Sequence, residues 1–154
     1  MPEFSRSRGL AAALHPLLAF AVLGLSSYAA AATLTIAVSG VKDTSGQVAI
    51  AVFAGPEDFP KDDTKAIRRI VAPIDGATKS AKAVVPDLPA GTYAIAAFHD
   101  NDNSGKLETN LFGMPTKGYG FSNNPKPKLR AARYDEARFE LPNAGATVEI
   151  QLTY

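Results

Sequence analysis

The sequence predicts an all-β fold, a seven-stranded antiparallel β-sandwich with one long ordered loop, and three observations carry that prediction. From Thr33 onward, short segments alternate apolar and polar residues; Gly, Pro, Asp and Asn separate them; and no amphipathic helical period interrupts them.

Each strand follows from its pattern. Leu34, Ile36 and Val38 alternate with Thr33, Thr35 and Ser39, so one face is buried and the other is wet. After a turn at Asp43–Gly46, Val48, Ile50 and Val52 alternate with Ala49, Ala51 and Phe53. Both faces are then apolar, which places this strand in the centre. Ala54–Lys65, with its Pro, Gly and acidic residues, reads as a surface excursion with room for one helical turn. Ile67–Ile74 and Lys79–Val85 read as strands around a turn at Asp75 and Gly76, and Tyr93–Phe98 as a second central strand. Tyr134–Leu141 and Ala146–Thr153 read as a final hairpin around Pro142–Gly145, with Val148, Ile150 and Leu152 inward. Ile50, Ile95 and Ile150, each central in an apolar alternation, are expected in one core.

The chain begins with Arg6 and Arg8, followed by an uncharged, Leu- and Ala-rich run from Gly9 that closes on Ala29–Ala32. That order is a secretory signal peptide, expected over residues 1–32, leaving residues 33–154 as one domain in the periplasm or outside the cell. An uncleaved anchor is the competing reading, since the run is long enough to cross a bilayer. Cleavage would leave no stable membrane insertion. Only Arg6, Arg8 and Glu3 are charged before Thr33, so the mature chain carries 14 Lys plus Arg against 14 Asp plus Glu. This balance excludes the concentrated positive charge of a nucleic-acid binder. No cysteine is present, so neither disulfides nor a lipoprotein anchor are available.

His99–Arg133 has no strand pattern and many Gly, Asn and Pro. Loops of this length in compact domains are functional or disordered, and the apolar content here favours order. Leu107, Leu111, Phe112, Met114, Tyr119, Phe121 and Leu129 are expected to give the loop a small core of its own. Within it, Asp100, Asp102 and Ser104 stand at loop positions 1, 3 and 5, with Gly105 at position 6. Oxygen ligands at that spacing followed by a sharp turn wrap a calcium ion. The expected ligand set is Asp100, Asp102, Ser104, Lys106 and Glu108, with an affinity on the order of 10⁻⁴ to 10⁻³ M because Leu111 replaces the usual bidentate Glu. The competing reading is a tight turn in which Asp and Asn bond their own backbone.

His99 is the sole histidine after residue 32, which removes ordinary zinc sites and leaves a Ser/His/Asp arrangement only with Ser122 or Ser104. A strand-end histidine bonded to loop backbone is the favoured reading. Candidate loop binding residues are His99, Asn110, Tyr119, Phe121, Asn123 and Asn124.

The stretch F-H-D-N-D-N-S-G-K-L-E-T-N-L-F-G-M-P-T-K-G-Y-G-F-S-N-N, Phe98–Asn124, closely resembles the hallmark segment of the bacterial DUF2141 proteins, exported domains of unknown function. Gly40–Phe53, the Glu57, Phe59, Pro60 pattern and L-P-A-G-T-Y-A-I at Leu88–Ile95 extend the resemblance over nearly the whole mature chain. The last of these is also similar to a strand entry of transthyretin-like and collagen-adhesin B-type sandwiches, implying an immunoglobulin/transthyretin-like architecture. The chain departs from the family pattern at Lys117, where an acidic residue is usual, and at Glu108, where Asp is usual.

Three functional classes remain. The first is a non-enzymatic binding or accessory module for an envelope or extracellular ligand, with the loop as its recognition element and calcium as its ion. The second is a hydrolase using His99, Asp100 and Glu108. The third is a structural envelope component.

Overall fold

A computed structural model describes residues 31–154; most of the expected signal peptide lies outside the described residues. The chain forms β1 (Ala31–Ser39), β2 (Gln47–Phe53), β3 (Arg68–Asp75), β4 (Ser80–Pro89), β5 (Gly91–Asp100), β6 (Tyr119–Phe121), a one-turn helix α1 (Tyr134–Ala137), β7 (Phe139–Leu141) and β8 (Ala146–Gln151). β1 takes in Ala31 and Ala32, which were expected to leave with the signal; Ala32 is buried and pairs with Leu88.

The fold is all-β, as expected, but the seven-stranded antiparallel sandwich gives way, among the described residues, to eight strands in one curled sheet. The order is β6-β5-β2-β3-β4-β1-β8, with β7 paired separately to β5. β8 lies parallel to β1 rather than forming a hairpin with Tyr134–Leu141. The reason is that alternation fixes which face of a strand is buried, not which neighbour it takes. Val148, Ile150 and Leu152 point inward equally well beside β1.

The two ends of the sheet nearly meet, producing a barrel-like closure. Tyr119 and Thr153 exchange both backbone hydrogen bonds, each 2.9 Å. Asn124 extends the seam with its side chain, accepting the Gln151 N–H at 2.7 Å and donating to the Glu149 carbonyl at 3.1 Å. Gly120 permits this approach, since a Cβ there would stand 2.7 Å from the Gln151 carbonyl oxygen.

The barrel interior holds Leu34, Ile36, Val38, Val48, Ile50, Val52, Ile95 and Ile150 among others, so the three expected core isoleucines share one cluster. A second cluster lies outside the sheet. Phe53, Ala94 and Phe121 are covered there by Phe59 from the Ala54–Lys65 excursion and by Ala132 and Ala137 around α1. That excursion includes a single 3-10 turn at Asp63–Lys65. The β2–β5 register sets an outward-facing ladder of Phe53 with Ala94, Ala51 with Ala96, and Ala49 with Phe98. Its first rung is buried; the other two are half-buried.

α1 replaces the first half of the expected sixth strand. The Glu136 carboxylate accepts the Arg133 N–H at 2.8 Å and pairs with both Arg130 guanidinium nitrogens at 2.7 Å. This return from the third helical position stabilises the exposed turn start. Arg130 pulls the Glu136 pKa down to about 2.

Candidate functional site

β5 delivers His99 and Asp100 to the mouth of the long loop, opposite Val48 and Gln47. Gly46 makes room beside them: its φ is +68°, and a Cβ would collide with the Asp100 carbonyl oxygen.

His99 is buried with both ring nitrogens engaged, Nε2 with the Ser45 carbonyl at 2.8 Å and Nδ1 with the Tyr154 hydroxyl at 2.9 Å. A carbonyl only accepts, so Nε2 carries a proton, and in the neutral ring Nδ1 accepts from the Tyr154 hydroxyl. The Tyr154 hydroxyl in turn accepts the Lys42 N–H at 2.8 Å. The favoured reading of a strand-end histidine tied to loop backbone describes this arrangement. Ser122, buried, accepts the Ile95 N–H at 2.9 Å and donates to the Ala137 carbonyl.

Asp100 is fully buried. Oδ1 accepts from Ser104 N–H at 3.1 Å, and Oδ2 from Gly105 N–H at 2.9 Å and Gln47 Nε2 at 3.3 Å. Asp102 Oδ1 accepts the same Ser104 N–H at 3.1 Å. Into this turn comes Lys117, whose side chain is 5% exposed. Its Nζ shares three protons among Asp102 Oδ1 at 2.6 Å, Ser104 Oγ at 2.8 Å, the Lys106 carbonyl at 3.0 Å and Asp100 Oδ1 at 3.3 Å. Of the five expected calcium ligands, four thus converge, Lys106 through its backbone. Glu108 does not join them; its carbonyl accepts from Thr116 N–H at 2.9 Å. Lys117 and Ser104 hold the Asp102 carboxyl well below its ordinary range. Burial pushes the Lys117 ammonium toward neutrality, but its bonds to Asp102 and Asp100 outweigh burial and raise its pKa. Among the described residues no group of three His, Cys, Asp or Glu side chains is placed to hold a metal.

Between Gly105 and Lys117 the chain makes a small hairpin. Thr109 bridges Pro115, and Asn110 Oδ1 caps the tip by accepting the Phe112 and Met114 N–H groups at 2.9 and 3.1 Å. The expected private core of the loop does not form. Leu111, Phe112 and Leu129 are 102%, 89% and 88% exposed, whereas Tyr119 and Phe121 pack into the second cluster beside Phe59. Asn123 donates to the Arg138 carbonyl at 2.7 Å and Asn124 ties the seam, so both hold the loop's return in place.

The hairpin stands over the open end of the outer sheet face. Between them lies a cleft of about 1020 Å³. Its floor is Ala49, Ala51, Ala96 and Phe98, its wall Val71 of β3, and its roof Leu107, Phe112, Met114 and Leu129. Alanines make the space, because three of the four floor positions carry one methyl group each. Lys61, Asp63, Arg69, Lys106 and Arg130 stand at the rim. Asp63 lies 3.7 Å from Arg69, and Arg130 is held by Glu136, whereas Lys61 and Lys106 have no ion pair among the described residues. The sequence signals this site through the second apolar face of two central strands, a face that needs a cover, and through the loop candidates Tyr119 and Phe121, which also line the cleft.

A family model described as an uncharacterized protein conserved in bacteria, DUF2141, matches residues 36–150. No curated protein and no solved structure matches the chain. No helix among the described residues is long and apolar enough to cross a membrane.

Proposed function

Since the chain belongs to DUF2141, a family of uncharacterized proteins conserved in bacteria, we propose from the geometry that it is an exported binding module, periplasmic or secreted, whose cleft takes a small amphiphile with an apolar chain and an anionic head. The observation that carries the reading is the convergence of exposed apolar side chains on one concavity. Val71, Leu107, Phe112 and Leu129 are 60%, 38%, 89% and 88% exposed, and all four face the same alanine floor. Exposed apolar side chains gathered in one place mark interaction sites. The volume lies just above the roughly 300–1,000 Å³ of ordinary small-molecule sites. Two ammonium groups at the rim, Lys61 and Lys106, have no ion pair among the described residues and favour an anion over a cation at the mouth.

Export is supported by the order of Arg6, Arg8 and the uncharged run to Ala32. A hydrolase centred on His99, Asp100 and Glu108 draws no support from this arrangement. Both His99 nitrogens are engaged, Asp100 is enclosed by its own loop, and Glu108 is tied to Thr116 within the hairpin through its backbone carbonyl.

The test is calorimetric titration of the purified protein with dodecanoate and with dodecyltrimethylammonium. Saturable one-to-one binding of dodecanoate, stronger than that of the cationic amphiphile, is expected. Binding of neither removes the reading, and equal binding of both removes the anionic head from it.

A further inference from the structure

We infer that the loop Asp100–Lys106 carries its own cation: the Lys117 ammonium stands where a calcium loop holds its metal, so the loop and the hairpin it supports are ordered without a divalent ion.

A calcium loop of this type presents side-chain oxygens from positions 1, 3 and 5 and a backbone carbonyl from position 7. Here those positions are Asp100, Asp102, Ser104 and Lys106, and their oxygens lie 3.3, 2.6, 2.8 and 3.0 Å from one atom, Lys117 Nζ. Calcium would draw the same oxygens to about 2.3–2.6 Å around the same point. Two cations cannot share that seat, so a divalent ion does not fit while Lys117 occupies it.

The charge distribution agrees. One ammonium against two carboxylates leaves a net negative charge that a divalent ion would have cancelled. That remainder falls on Asp102, whose side chain is 48% exposed and solvated, while Asp100 and Lys117 are enclosed at 0% and 5%. The second oxygen of Asp100 is satisfied by Gly105 and Gln47, so the buried pair leaves no orphaned acceptor. Lys117 also joins the two ends of the hairpin, from Asp100 on β5 to the residue that precedes Gly118, whose carbonyl accepts the His99 N–H at 2.8 Å. A metal bound only by Asp100–Lys106 would order the turn without this side-chain tie to the return.

The inference is independent of what the cleft binds. Thermal melts of the wild-type protein in excess EDTA and in millimolar calcium chloride should coincide, and the Ser104 and Gly105 amides, both donating to Asp100, should be protected from hydrogen exchange in EDTA. A melting temperature that rises with calcium, or protection that appears only with calcium, overturns it. Lys117→Met keeps the stem and removes the ammonium. It should lose the protection of these two amides and lower Tm by roughly 10 °C, as expected when a buried charge loses its partner. A variant that retains wild-type protection in EDTA overturns the inference as well, and the wild-type comparison decides the matter should the variant not fold.

Discussion

The outward ladder of β2 and β5 is apolar along its whole length, yet one end is closed and the other is open. At the closed end Phe53 and Ala94 are 1% and 0% exposed beneath Phe59, Phe121, Ala132 and Ala137. At the open end Ala49, Ala96 and Phe98 are only half-buried, and the residues above them form a roof across a concavity. Phe59 meets Phe53, Phe121 and Tyr134 at ring-centroid distances of 5.2, 5.9 and 5.9 Å. Phe112, at the hairpin tip, remains 89% exposed. The same sheet face thus serves stability where an aromatic plug fills it, and is available to a ligand where alanines and a raised hairpin leave it unfilled.

The largest expected effect breaks the closed end. Phe59→Ala removes the ring that joins the excursion, β6 and α1, and it should cost about 3–5 kcal/mol of unfolding free energy in denaturant titration. A loss below about 1 kcal/mol, the size of an ordinary surface change, would mean that Phe59 does not close this end.

A smaller effect concerns acid. At the start of α1 Arg130 holds Glu136 at about 2; in the loop turn Lys117 holds Asp102 well below its usual range. Both are depressed carboxylates, so their stabilisation is present above the unfolded pKa values of about 4 and is lost as pH falls through the folded ones. Tm should therefore decline as pH is lowered from about 4 toward 2. Glu136→Gln should lower Tm at neutral pH and flatten the acid decline; an unchanged acid profile in this variant would show that the Arg130 clamp contributes nothing to the cover.

How much of this was legible follows from what each signal encodes. Alternation at Leu34–Val38, Val48–Val52 and Val148–Leu152 reports the buried face of a strand, and those faces are correct. It carries no information about neighbours, which is why the parallel pairing of β8 with β1 was not foreseen. β6 is three residues long and α1 is four, too short for any period to register. At the loop, Asp100, Asp102 and Ser104 do converge as their spacing implies, with Lys106 adding its carbonyl. What they converge on depends on a residue 17 positions from Asp100, returned by a hairpin that local spacing cannot reveal. Composition predicts a core from Leu107, Phe112 and Leu129 because it says that they are apolar, not that they face one another, and all three are exposed.

The smallest expected change in stability is the sharpest test of the comparison. Phe112→Ala removes an aromatic ring of the same kind as Phe59, but from a tip held by Asn110 and bridged by Thr109 and Pro115 rather than by the ring itself. Because that ring is 89% exposed, truncation forfeits little packing, and unfolding free energy should stay within about 0.5 kcal/mol of wild type. The ring nevertheless roofs the cleft, so a bound alkyl chain would bury part of it. Losing that contact should weaken dodecanoate about tenfold, equivalent to about 1.4 kcal/mol. The paired measurements separate the two roles of the sheet face. A stability loss above about 1 kcal/mol would place Phe112 in a core like that of Phe59 and erase the open end. Unchanged stability with unchanged dodecanoate affinity would leave the hairpin outside the binding site.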